Sequence, residues 1–96
     1  MSQGSVPDGS EPVELLSFPC RFQLKAMGRS APDFEELVST VVSRQLNGAS
    51  ILDIQARQSS GASYVSVNCT IEATSRVQLD AIYLDLNSEN DVLITL

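Results

Sequence analysis

The chain of 96 residues carries six basic and twelve acidic side chains, a net charge of −6, 43% hydrophobic residues and no histidine. A chain of this length buries about 60 to 65% of the surface its unfolded form exposes, which is enough for one core and one domain. The acidic balance has the wrong sign for a surface that binds phosphates by counterion release, and no apolar run approaches the roughly 20 residues of a membrane-spanning helix, so neither nucleic acid nor a membrane is an expected partner.

In chain order, residues 1–12 (MSQGSVPDGSEP) have neither the basic nor the apolar region of a signal peptide. Their Gly, Ser, Pro and acidic content reads as a disordered tail ahead of one domain over 13–96, and the expected location is the cytoplasm. Phe18-Pro19 suits the entry to a strand, because proline restricts the residue before it to extended geometry. CRFQLKAM then alternates, with Cys20, Phe22, Leu24 and Ala26 on one face and Arg21, Gln23, Lys25 and Met27 on the other, and Gly28 is expected to end this first strand. Ser30, Pro32 and the acids Asp33, Glu35 and Glu36 predict a helix start with Ser30 as cap. Phe34, Leu37, Val38, Val41 and Val42 supply an apolar stripe, so the helix is expected over about Pro32 to Leu46, stopped by Asn47-Gly48.

Leu52, Ile54 and Ala56 alternate with Asp53, Gln55 and Arg57, and Val65, Val67, Cys69, Ile71 and Ala73 alternate with Tyr64, Ser66, Asn68, Thr70 and Glu72. With Gly61 in the short link, these runs predict an antiparallel hairpin. Thr74 or Ser75 caps a second helix through Val77, Leu79, Ile82, Tyr83 and Leu86, with Gln78 three residues after Ser75 as in a capping box. Asn87-Ser88 ends it, and DVLITL is a final strand. The order strand, helix, strand, strand, helix, strand is that of an α+β ferredoxin-like βαββαβ sandwich, a four-stranded antiparallel sheet with two helices on one face. Right-handed crossovers place the first and third strands in the centre.

The chemistry available is narrow. Without histidine the commonest general base and metal ligand are both missing, and two cysteines cannot make a standard zinc site, so no metal and no cofactor are expected. Cys20 and Cys69 lie on apolar faces with no base at a recognisable spacing; they read as reduced core thiols facing the helices and as close neighbours across the central strands. The isolated glycines form no phosphate loop.

Two places remain. The KAMGRS run, with Lys25, Gly28, Arg29 and Ser30, is a candidate anion-receiving turn between a strand and a helix start. The uncovered sheet face, with Arg21, Gln23, Tyr64, Ser66 and Asn68, is a candidate partner surface, although one solvated face is normal for an antiparallel sheet. Tyr64 is the only aromatic residue on that face, which argues against RNA recognition.

The pieces LLSFPCRFQLKAMG, SSGASYVSV and TIEATS, in this order, resemble the small bacterial YbeD-like family. The resemblance extends over about Val13 to Leu96 and implies a ferredoxin-like alpha-beta plait similar to the ligand-sensing ACT regulatory modules. It implies no catalytic residues, because the family has no established activity. By the same resemblance, an amino acid or other carboxylate would bind near the turn Met27-Gly28-Arg29-Ser30, at a dimer interface, with regulation in trans. The leading expectation is a non-enzymatic regulatory or protein-interaction module that senses a small metabolite, with an unknown protein or a second copy as partner. The alternatives are a ligand-independent adaptor using the open sheet face and, third, a small enzyme.

Overall fold

The computed structural model describes residues 16–59, 61 and 63–96. The expected tail at 1–12, with residues 13–15, lies outside the described residues. Six elements follow in the order β1 (Cys20–Arg29), α1 (Phe34–Arg44), β2 (Asp53–Gln58), β3 (Tyr64–Ala73), α2 (Arg76–Asn87) and β4 (Val92–Thr95). The sheet order is β2-β3-β1-β4 with every neighbouring pair antiparallel, the ferredoxin-like arrangement read from the sequence.

Strands β1 and β3 pair over their full lengths, from Cys20 opposite Ala73 to Arg29 opposite Tyr64. Side chains alternate between faces along a strand, so this register puts Leu24, Ala26, Val67, Cys69 and Ile71 on the side that the helices cover, where all are buried. From α1, Phe34, Val38, Val41 and Val42 pack down on them, and from α2, Leu79, Ile82 and Leu86. At the core's margin the Phe22 and Tyr83 rings meet edge to face, with centroids 6.5 Å apart.

Polar groups join the two helices along their outer seam. Ser75 Oγ accepts from Gln78 N, as a capping residue does, while Gln78 Oε1 accepts from Thr74 N. The remaining end of the same side chain, Nε2, donates to Gln45 O at the C-terminus of α1. Asp85 then receives Gln45 Nε2 at 3.3 Å and Arg44 at 3.5 Å.

Four expectations are corrected. Gly28 does not end β1, which continues to Arg29; it lies inside the strand, buried, with the Phe34 ring and the Asp91 carbonyl occupying the space a Cβ would need. A glycine within a strand here marks the close approach of another group rather than a turn. Ser30 is not the cap of α1: Asp33 holds that position, and Ser30 Oγ accepts from Gln58 Nε2 at 2.9 Å. The helix accordingly begins at Phe34 and ends at Arg44, shorter at both ends than its apolar stripe suggested, although Asn47 and Gly48 do adopt the positive φ of a left-handed stop. Leu52, in the bend just before β2, is 49% exposed instead of buried; Ile51 and Ile54 on either side of it pack against the core. Finally, the register between β1 and β4 shifts at Met27/Gly28, leaving Leu93 as an extra, exposed residue between Val92 and Ile94.

The Gly28 packing carries a prediction. Gly28→Ala forces the Phe34 ring or the β4 entry to move and should cost about 1 to 3 kcal/mol of stability by overpacking. Phe34→Leu removes the obstructing ring edge. The two substitutions combined should therefore destabilise by clearly less than their sum in a double-mutant cycle of denaturant unfolding, whereas simple additivity would show that the ring does not set the constraint.

Candidate functional site

The ladder that buries one set of side chains presents the other set to solvent. From β1 the outward residues are Arg21, Gln23, Lys25, Met27 and Arg29; β3 gives Tyr64, Ser66, Asn68, Thr70 and Glu72, and β2 gives Asp53, Gln55 and Arg57. Cross-strand neighbours form rows. One row runs Ile94, Met27, Ser66, Arg57, and an adjacent row pairs Arg29 with Tyr64. Toward the other end, Arg21 stands opposite Glu72, and Gln23 and Thr70 share a row with Asp53.

Charge is distributed unevenly between the two layers. Four of the six basic residues, Arg21, Lys25, Arg29 and Arg57, lie on the open face, and no ion pair joins any of them to a described carboxylate. The other two sit on the helices, where Arg44 pairs with Asp85 at 3.5 Å and Arg76 with Asp80 at 3.8 Å. Of the carboxylates on the strands, Asp53 and Glu72 occupy the open face, both toward the Arg21 end. At the end that carries Arg29 and Arg57 no paired strand row holds an acid, and the exposed Asp91 stands just before β4 at that end. An acidic chain thus presents a locally basic surface, because Asp33, Glu35, Glu36, Asp80 and Asp85 belong to the helical layer and its approaches.

Apolar groups adjoin those cations. Ile94 is 51% exposed beside Met27, and Tyr64 is 43% exposed. A depression of about 80 Å³ opens between Met27, Tyr64, Ser66 and Arg57. Sites for small molecules usually enclose roughly 300 to 1,000 Å³. A second hollow of about 320 Å³ lies between α1 and β2, but Glu35 and Glu36 line it, which disfavours a carboxylate ligand.

The four residues of the candidate anion-receiving turn are not brought together. Lys25 and Arg29 point to the open face, and Gly28 is packed under Phe34 on the opposite one. Ser30 has its N–H donated to Ser63 O and its hydroxyl bonded to Gln58. The five partner-surface residues Arg21, Gln23, Tyr64, Ser66 and Asn68 share one face, the first three exposed and the last two half-buried. The apolar contribution of Ile94 and the place of Arg29 on this face are not evident in the sequence; both require the strand register, although the odd-numbered spacing of Arg21, Lys25 and Arg29 is visible in the chain.

Neither thiol is arranged as a nucleophile. Both cysteines are free and on the helix-covered face; Cys69 is buried and Cys20 half-buried. They are not the close neighbours expected from the sequence: Cys20 lies opposite Ala73 and Cys69 opposite Leu24, a separation of roughly 13 Å along the ladder. Burial, with a smaller contribution from Asp53, pushes the Cys69 thiol up from 9.0 to about 11. Burial, then Glu72, raises Cys20 as well. A raised pKa leaves little thiolate at neutral pH. Among the described residues no group of three or more His, Cys, Asp or Glu is placed to hold a metal ion, and no helix is long and apolar enough to cross a membrane.

Residues 13–96 match the sequence profile described as "Protein of unknown function (DUF493)". A "UPF0250 protein" of Paraburkholderia phytofirmans is 42% identical over 82 residues, 85% of this chain and 92% of that protein. Another, from Chromobacterium violaceum, is 40% identical over 86 residues, 90% of this chain and 97% of its own length. The solution structure of protein HP0495 from H. pylori superposes with a TM-score of 0.62, covering 99% of this chain and 98% of that one, at 15% identity, a likeness of fold alone.

The thiols give a test. Because its folded pKa is raised, Cys69 contributes stability that is fully present below about pH 9 and lost as the pH rises toward about 11. Unfolding free energy should fall across that window, and fall less in Cys69→Ala; burial also raises the Tyr83 hydroxyl, so part of the loss should remain. In native protein at neutral pH, an alkylating reagent should modify Cys20 slowly and Cys69 only after unfolding. An identical alkaline slope in Cys69→Ala, or equal labelling of both thiols, would contradict this placement.

Proposed function

The chain belongs to the DUF493 family of proteins of unknown function, and since that membership assigns no activity, we propose from the geometry that it is a non-enzymatic interaction module working through its open sheet face. The observation that carries the reading is the segregation of charge: Arg21, Lys25, Arg29 and Arg57 stand on one face with no ion pair to a described carboxylate, the same face that exposes Tyr64 and Ile94, while the remaining basic residues are paired on the helices. Cations placed for folding alone would gain by standing near the acids of the helical layer. Cations placed for a partner stay uncommitted until it arrives, and then provide both steering and register.

This surface acts by docking. An adaptor of this kind regulates its partner by occupying it, and needs no bound metabolite. The amino-acid-sensing alternative has less support, because Gly28 and Ser30 are both engaged within the fold.

The experiment is crosslinking of the intact chain in cell extract, with a photoreactive residue replacing Gln23 on the face or Val77 on the outer side of α2. The Gln23 position should capture a defined protein, and Tyr64→Ala should reduce that capture by about tenfold while leaving the melting temperature unchanged, as expected for an exposed aromatic anchor. Capture from Val77 alone would overturn the reading. A thermal upshift with any amino acid or small carboxylate, lost in Arg29→Ala, would replace it with the sensor.

A further inference from the structure

The two ends of the open face differ. At one end, Arg21 is opposed by Glu72 and accompanied by Asp53, so its charge is offset locally. At the other end, Arg29 and Arg57 flank Met27, Ser66 and Tyr64 with no carboxylate on the paired strand rows; the exposed Asp91, just before β4, is the acid that the register brings toward this end, and it makes no described ion pair with either arginine. Arg57 lines the depression, and Arg29 stands two residues beyond Met27 on β1, about 7 Å along the strand and opposite Tyr64. The floor of the depression is the flexible Met27 thioether, and Ile94 continues the apolar surface onto β4.

Resting on the reading of the open face as a docking surface, we propose that this end receives an acidic polypeptide segment. One apolar side chain of the segment fills the depression against Met27 and Tyr64, and carboxylates on either side of it pair with Arg29 and Arg57. The volume of about 80 Å³ suits a single aliphatic side chain. Charge complementarity selects the flanking residues: guanidinium forks bind carboxylates bidentately, and neither fork is paired with a described carboxylate. Methionine adapts its shape to whichever aliphatic residue arrives. Single-stranded nucleic acid would also supply negative charge, but it calls for a train of aromatic platforms and a continuous basic track. This face has one exposed aromatic residue, and Asp53 and Glu72 interrupt the track.

The test uses fluorescence anisotropy of a labelled synthetic peptide of glutamate and aspartate with one central leucine. Its companions are the same peptide with serine for leucine, the same with lysine for the acids, and an oligothymidine of similar length. The leucine acidic peptide should bind best and lose affinity as ionic strength rises. Arg29→Glu with Arg57→Glu should weaken it by about tenfold or more, and Met27→Ser should remove the preference for leucine over serine. Val77→Ser, remote from the face, should change nothing. Circular dichroism and the melting temperature confirm that each variant is folded. The proposal is overturned by tighter binding of the oligothymidine or the lysine peptide, by binding indifferent to the arginine reversals, or by no binding at millimolar peptide. Crosslinking from Gln23 to a partner through a segment lacking acids would overturn the acidic segment alone, whereas absence of any Gln23 crosslink would remove the docking surface with it.

Discussion

Everything in this molecule depends on the register of β1 against β3. From Cys20 opposite Ala73 to Arg29 opposite Tyr64 the two strands match without interruption, and every side chain's face follows from that match. A slip of β1 by one residue would turn Leu24 and Ala26 to solvent and bring Arg21 and Lys25 under the helices, exchanging apolar burial for unpaired charge. The same constraint that closes the core therefore assembles the open face. Stability and docking surface are two sides of one ladder.

The helices reinforce this division. Their inward stripes take Phe34, Val38, Leu79 and Ile82, and their outer surfaces hold much of the chain's negative charge, with Arg44 and Arg76 already paired there. The sheet face has the opposite balance. A net charge of −6 summed over the whole chain hides a basic patch, because charge acts over about 8 to 10 Å at physiological ionic strength and a partner meets one layer at a time.

Much of the fold is legible in the chain. Period-two alternation around Leu24 and Val67, the Ser75 and Gln78 cap, and the Asn47-Gly48 stop are local patterns, and each forms as its chemistry dictates. What was not legible depends on groups distant in sequence. Gly28 looks like punctuation, and only the packing of Phe34 and the Asp91 carbonyl against it shows why no side chain fits. Ser30 has the character of a cap but is engaged by Gln58 from across the sheet. Leu52 fits the alternation of the run that follows it and still faces solvent, because it lies in the bend before β2 begins at Asp53. For the site, the residues of the open face could be named from the pattern, but the concentration of uncompensated cations beside Met27 and Ile94 appears only once β2 and β4 take their places on either side of the central pair.

The claim that the open face is the working surface is reached most directly by hydroxyl-radical footprinting of the intact chain, purified and in native cell extract. Tyr64 and Ile94 on the face, and Val77 and Leu84 on the outer side of α2, are all exposed in the isolated chain, so all four report. Occupancy of the face predicts that oxidation of Tyr64, Met27 and Ile94 falls in extract while Val77 and Leu84 remain as reactive as in the purified protein. Protection of Val77 and Leu84 with Tyr64 and Ile94 unchanged would contradict the account and move the working surface to the helices.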